Sequence, residues 1–127
     1  MFLYSLAIYL LTPIVVLLLF ARSRREPEYR TGWWRRLAIG QKKPSREGSG
    51  RVWFHAVSVG EVLAAAPIVE QLMAQRDCAV LITTTTPTGA LEVQRLFGGR
   101  VDHAWTPIDA GLVVRRFFNH WRPELLA

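Results

Sequence analysis

From Val52 onward the chain alternates, three times over, between a short apolar run and a longer stretch with helical periodicity, and few folds tolerate that order. Residues 52–57, 79–84 and 101–105 are of strand type, and the first two are apolar enough for strands covered on both faces. Residues 61–75, 89–97 and 110–121 are helical. In the first of these, Val62, Ala65, Val69 and Leu72 fall at spacings of three and four and form one core stripe. The βαβαβα order predicts an α/β fold with a Rossmann-like parallel sheet and right-handed crossovers. Pro123 ends the last helix, and Glu124-Leu125-Leu126-Ala127 reads as the start of a fourth strand. Three parallel strands alone would leave an edge open and one face poorly covered. Residues 52–127 are therefore expected to be part of a larger domain, cut before or within its fourth strand.

The amino-terminal part has a different character. Residues 2–20 are nineteen positions without a charge, long enough to cross a hydrocarbon core of about 30 Å. No basic residue precedes them and the run exceeds the about 7–15 residues of a signal-peptide core, so an uncleaved membrane-anchor helix is expected over residues 1–21. Pro13 leaves open whether it spans or lies shallow. Residues 22–51 hold ten Lys/Arg against three Asp/Glu, a net of +7, while residues 52–127 hold six against seven, a net of −1. All the excess positive charge thus abuts the apolar block, which predicts a cytoplasmic globular part. The basic stretch also suits anionic lipid, with Trp33 and Trp34 as interfacial aromatics. Residues 38–50, rich in Gly, Ser, Pro and charge, read as a linker or loop. The pI near 10.4 would fit nucleic acid too, but clustering beside an anchor argues against that partner.

Several chemistries find no support. Cys78 has no second cysteine to pair with and reads as a small buried hydrophobe. His55, His103 and His120 show no metal-ligand spacing, so no metal is expected. Neither a dinucleotide-binding nor a P-loop glycine pattern is present.

The strand-to-helix junctions carry what chemistry there is, because in βα architecture ligands collect at the carboxyl ends of strands. The first junction is His55-Ala56-Val57-Ser58-Val59-Gly60-Glu61. Ser58 followed by Glu61 is a capping box, with the hydroxyl on the Glu61 N–H and the carboxylate on the Ser58 N–H. The same carboxylate, beside a glycine that lets a substrate approach, is a candidate general base. At the second junction Thr86 reads as an N-cap and Pro87 as the first helical residue. Asp109, after Pro107, reads as a third helix cap rather than a catalytic group.

Residues 55–66 (HAVSVGEVLAAA), 83–89 (TTTTPTG) and Thr106-Pro107-Ile108-Asp109 together resemble the Kdo transferase family, in order and spacing. Those enzymes add 3-deoxy-D-manno-octulosonic acid (Kdo) from a CMP-activated donor to a lipid A precursor in lipopolysaccharide biosynthesis. The resemblance implies the amino-terminal half of a GT-B glycosyltransferase with Glu61 as general base. It also implies an acceptor-binding set of Ser58, Gly60, Thr85, Thr88, Gly89, Arg35 and Arg36. No cofactor is implied. The CMP-Kdo site would lie in a carboxy-terminal domain outside this chain, leaving the fragment inactive alone. The implied partners are the lipid A precursor and the phospholipid of the bacterial inner membrane. One segment departs from the family: Trp33-Trp34-Arg35-Arg36 stands where members often carry a Gly-Glu-Arg sequence. The rival reading is a non-catalytic, membrane-tethered lipid-binding module, a truncated or degenerate product.

Overall fold

The computed structural model describes Ile14, residues 33–46 and residues 50–127. The expected anchor over residues 1–21 lies outside this set apart from Ile14, as does the basic stretch up to residue 32. Among the described residues no helix is long and apolar enough to cross a membrane. The chain divides into two compact units, Met1–Thr31 and Gly32–Ala127, and the second contains every element below.

A single turn, α1 (Trp33–Arg36), precedes β1 (Arg51–His55), α2 (Val59–Gln75), β2 (Ala79–Thr84), α3 (Pro87–Phe97), β3 (Asp102–Trp105), α4 (Gly111–Trp121) and β4 (Leu125–Leu126). The four strands form one parallel sheet in the order β3-β2-β1-β4. Register pairs Trp53 with Leu81 and with Leu126, and Leu81 with Asp102. The chain winds outward from β1 through β2 to β3, then returns to place β4 on the other side of β1. That reversal creates a crevice beyond the carboxyl ends of β1 and β4.

Alternation along the strands divides the core in two. Phe54, Val80 and Ile82 face Val62, Val69, Val93 and Phe97 of α2 and α3. Trp53, Leu81 and Ala104 face Phe117 and Trp121 of α4, with the Trp53 and Phe117 rings 5.1 Å apart. The expected stripe on α2 is partly buried at Ala65 and Leu72 and fully so at Val62 and Val69. β2 is buried at all six positions, as its unbroken apolar run requires. Pro67 sits inside α2 at an exposed position.

The stretch read as a linker or loop is not free of the sheet domain. Its described residues 38–46 form a loop fastened to the sheet domain at Gln41, Lys42, Ser45 and Arg46, and the compact unit begins at Gly32 rather than Val52. Trp121 Nε1 donates to Gln41 Oε1 at 2.7 Å, and His120 Nε2 lies 2.7 Å from the Lys42 carbonyl. The Ser45 N–H reaches the Asp102 carboxylate at 3.1 Å, and Arg46 pairs with Asp77. This strap runs past β3, the outermost strand, and so limits its exposure as an edge.

The amino edge of the sheet is closed by Arg51, which is buried at the head of β1. Its guanidinium donates to the carbonyls of Trp121 and Arg46 and to Asp102 Oδ2 at 3.3 Å, over the Trp121 ring. The Arg51 and Asp102 side chains are 6% and 10% exposed, which makes this a buried pair. Composition alone assigned Arg51 to the basic segment; two of its three partners lie 51 and 70 residues away.

Candidate active site

The carboxyl edge is built from three strand-to-helix junctions laced together by main chain. Beyond β1, the Ala56 N–H donates to the Thr83 carbonyl at 2.9 Å, and the Val57 carbonyl accepts from the Thr85 N–H at 3.3 Å. The Thr106 N–H donates to the Thr84 carbonyl at 3.0 Å. Thr85 and Thr106 share a hydroxyl–hydroxyl bond of 3.2 Å. These bonds hold the loops in one layer above the sheet.

Glu61 stands in the first turn of α2, exposed at that layer. Its Oε2 accepts the Val57 N–H at 2.8 Å. The expected capping box is therefore displaced by one residue. Ser58 is the N-cap, with an extended backbone at φ −133°, but its hydroxyl makes no capping bond, and the carboxylate reaches past the Ser58 N–H to that of Val57. Glu61 Oε1 has no hydrogen-bond partner among the described residues.

Gly60 is exposed, with a φ that any residue adopts, and a Cβ there would meet nothing nearer than Ser58 Oγ at 4.0 Å. Neither packing nor backbone strain within the protein requires glycine at this position, and alanine would be the better helix former. The space above Gly60 is open.

The second junction caps as expected. Thr86 Oγ1 accepts from the Gly89 N–H at 3.1 Å, and Pro87 opens α3. Gly89 is buried, and a Cβ on it would sit 3.0 Å from Thr86 Oγ1, so glycine lets α3 start hard against β2. Thr88 is exposed, its hydroxyl 3.4 Å from that of Thr86. Thr85 is half-buried, and its carbonyl accepts from Arg36 Nη2.

Arg36 is thereby tied into the site. Its guanidinium lies 5.0 Å over the Trp105 ring, and its carbonyl accepts the Ile108 N–H at 3.0 Å. The two arginines of the basic segment consequently differ: Arg36 braces the second and third junctions, whereas Arg35 is exposed. Nothing in composition distinguishes them.

The third junction corrects another expectation. The N-cap of α4 is Ala110, with no side-chain capping bond, so Asp109 caps nothing. It lines a cleft of about 220 Å³ together with Trp53, His55, Thr106, Phe118 and Leu126, at the crevice between β1 and β4. On the other side of the sheet, His103 is pushed down to about 4 by burial first, then by the nearby charges of Lys42 and Arg35. Its Nε2 lies 2.8 Å from Thr84 Oγ1. Among the described residues no three His, Cys, Asp or Glu side chains converge as metal ligands would.

Residues 31–127 match the sequence family described as 3-deoxy-D-manno-octulosonic-acid transferase (kdotransferase). A 3-deoxy-D-manno-octulosonic acid transferase of Bordetella pertussis is 37% identical over 95% of this chain and 29% of its own length. The corresponding protein of Haemophilus influenzae is 33% identical over 98% of this chain and 29% of its own. A probable mitochondrial 3-deoxy-D-manno-octulosonic acid transferase of Arabidopsis thaliana is 31% identical over 98% and 28%. The chain thus spans well under a third of the length of these curated relatives. No solved structure matches it.

Proposed function

Since this chain belongs to the 3-deoxy-D-manno-octulosonic-acid transferase family, we propose that it is the acceptor-side, amino-terminal part of a glycosyltransferase that moves Kdo from CMP-Kdo to a lipid A precursor. The observation that carries this reading is the Glu61 carboxylate, exposed at the carboxyl edge and anchored, among the described residues, through one oxygen.

The chemistry follows from that anchoring. A hydroxyl of the lipid acceptor attacks the anomeric carbon of the sugar, the bond from that carbon to the CMP phosphate oxygen breaks, and CMP leaves with the electron pair. The acceptor proton must go to a base within about 2.6–3.2 Å of the hydroxyl. The Val57 N–H fixes Oε2 and with it the orientation of the carboxylate, while Oε1 is left to take the proton. Open space over Gly60 admits the acceptor, and the Ser58 and Thr88 hydroxyls offer it polar contacts. Arg36 holds the Thr85 loop in place, and Arg35 is available to an acceptor phosphate. Residues 1–21 anchor the protein in the inner membrane with this edge on the cytoplasmic side, and a second domain of the longer protein brings the donor.

The test is transfer from CMP-Kdo to a lipid A precursor by the full-length protein that contains this segment. Glu61→Gln should lower turnover roughly 10²-fold or more, and residues 1–127 alone should transfer nothing. Undiminished turnover by the Gln variant would reduce Glu61 to a cap and overturn the reading.

A further inference from the structure

The base proposed above hangs on irregular backbone. Ala56 and Val57 lie between the last residue of β1 and the N-cap of α2 and belong to neither element. The Val57 N–H that holds Glu61 Oε2 is therefore placed by bonds across the loops, not by a strand or a helix. On one side the Ala56 N–H donates to the Thr83 carbonyl at 2.9 Å. On the other the Val57 carbonyl accepts from the Thr85 N–H at 3.3 Å and from the Thr86 hydroxyl at 3.4 Å. Both of those donors belong to the second junction, so the place of Val57 follows the place of Thr85 and Thr86.

Thr85 is itself outside any regular element, since β2 ends at Thr84 and α3 opens at Pro87. Its N–H and its hydroxyl make neutral bonds that are long, at 3.3 and 3.2 Å. Its carbonyl accepts from Arg36 Nη2, and a hydrogen bond from an ionised donor is about twice as strong as a neutral one. That donor is held at both ends. The guanidinium lies 5.0 Å over the Trp105 ring, and the Arg36 carbonyl accepts the Ile108 N–H at 3.0 Å. One line of hydrogen bonds thus runs from Arg36 to Thr85, from Thr85 to Val57, and from Val57 to Glu61. Every link between its two ends is main chain, which no pattern of side chains records.

We propose that Arg36 is a positioning residue for the transfer reaction, which sets the orientation of the Glu61 carboxylate through the main chain of Thr85 and Val57 and does not contact the acceptor. The proposal rests on the general-base reading of Glu61.

The experiment is steady-state transfer from CMP-Kdo to a lipid A precursor by the full-length protein that contains this segment. It compares Arg36→Met, Glu61→Gln and the double variant Arg36→Met/Glu61→Gln with the parent. Arg36→Met should lower kcat roughly 10-fold or more, within the about 10²-fold that a 1 Å misplacement can cost, and leave KM for both substrates unchanged. Because Arg36 acts through Glu61, the double variant should be hardly slower than Glu61→Gln alone. Arg36→Lys, which loses the planar fork and its seat on Trp105, carries the same cycle where Arg36→Met does not fold. Unchanged kcat overturns the proposal. So does a raised KM for the lipid A precursor with kcat kept, which would make Arg36 an acceptor contact. Losses that multiply in the double variant also overturn it, since they would make Arg36 a support of the fold alone. In each of those cases a slow Glu61→Gln leaves the general base standing, whereas undiminished turnover by Glu61→Gln removes the base and this role of Arg36 together.

Discussion

The two edges of the sheet treat their polar groups in opposite ways. At the amino edge Arg51 is buried and its terminal nitrogens donate to two carbonyls and Asp102, which in turn accepts the Ser45 N–H, while its Nε–H meets no acceptor among the described residues. At the carboxyl edge Glu61 is held through one oxygen, and Asp109 is held by nothing among the described residues. Groups that close on each other give structure. Groups fixed in place with capacity left over give a site, because only they have something to offer a ligand.

Four outcomes would break or sharpen that contrast. The largest is at the closed edge. Arg51→Met should cost about 3–5 kcal/mol, since Asp102 would be left as a buried charge without its partner. Denaturant unfolding measures this, and a double variant Arg51→Met/Asp102→Asn should recover part of the loss. A cost under about 1 kcal/mol for the single variant would mean that the amino edge is not the closed structural end described above.

Acid should act next, through His103. Its folded value of about 4 lies below the ordinary 6.5. Between those values the unfolded chain binds a proton that the folded one refuses. Stability is thus intact above pH 6.5, falls as the pH drops through the window, and levels off below about 4. The loss should approach about 3 kcal/mol. His103→Gln should flatten that slope in unfolding curves taken between pH 7 and 4.

At the open edge the effects should separate from stability. The roughly 10²-fold loss of turnover in Glu61→Gln corresponds to about 2.7 kcal/mol of barrier, yet the amide oxygen can still accept the Val57 N–H. The melting temperature of this variant should stay close to the parent's. The smallest effect has two signs: Gly60→Ala should stabilise the fold by about 0.5–1 kcal/mol while slowing transfer, as the methyl group enters the acceptor's path. Gain in both would mean that no substrate passes over Gly60.

The elements were legible because each is written in local periodicity. The β2 run and the α2 stripe depend on spacings of two, three and four, and burial followed them. The second junction was legible for the same reason, as Thr86, Pro87 and Gly89 complete their cap within four residues. Caps that depend on where the chain leaves a strand were not. One residue of difference at Val57 moved the Glu61 bond, and α4 began at Gly111 with its cap at Ala110, releasing Asp109. That the strap is fastened was not legible, because Gly, Ser, Pro and charge describe a loop equally well whether or not it has partners. Its partners, Asp77, Asp102 and Trp121, lie 31 to 80 residues further on.

What the sequence by itself determined is the order of strands and helices, the parallel sheet they imply, and the glutamate at the first junction, since periodicity and short motifs are properties of neighbouring residues. Which arginine braces a loop and which stays exposed, and which carboxylate is buried and which is open, were decided only in the folded state. Hydrogen bonds and burial link residues that the chain keeps far apart, and no local pattern encodes which of several similar side chains will meet.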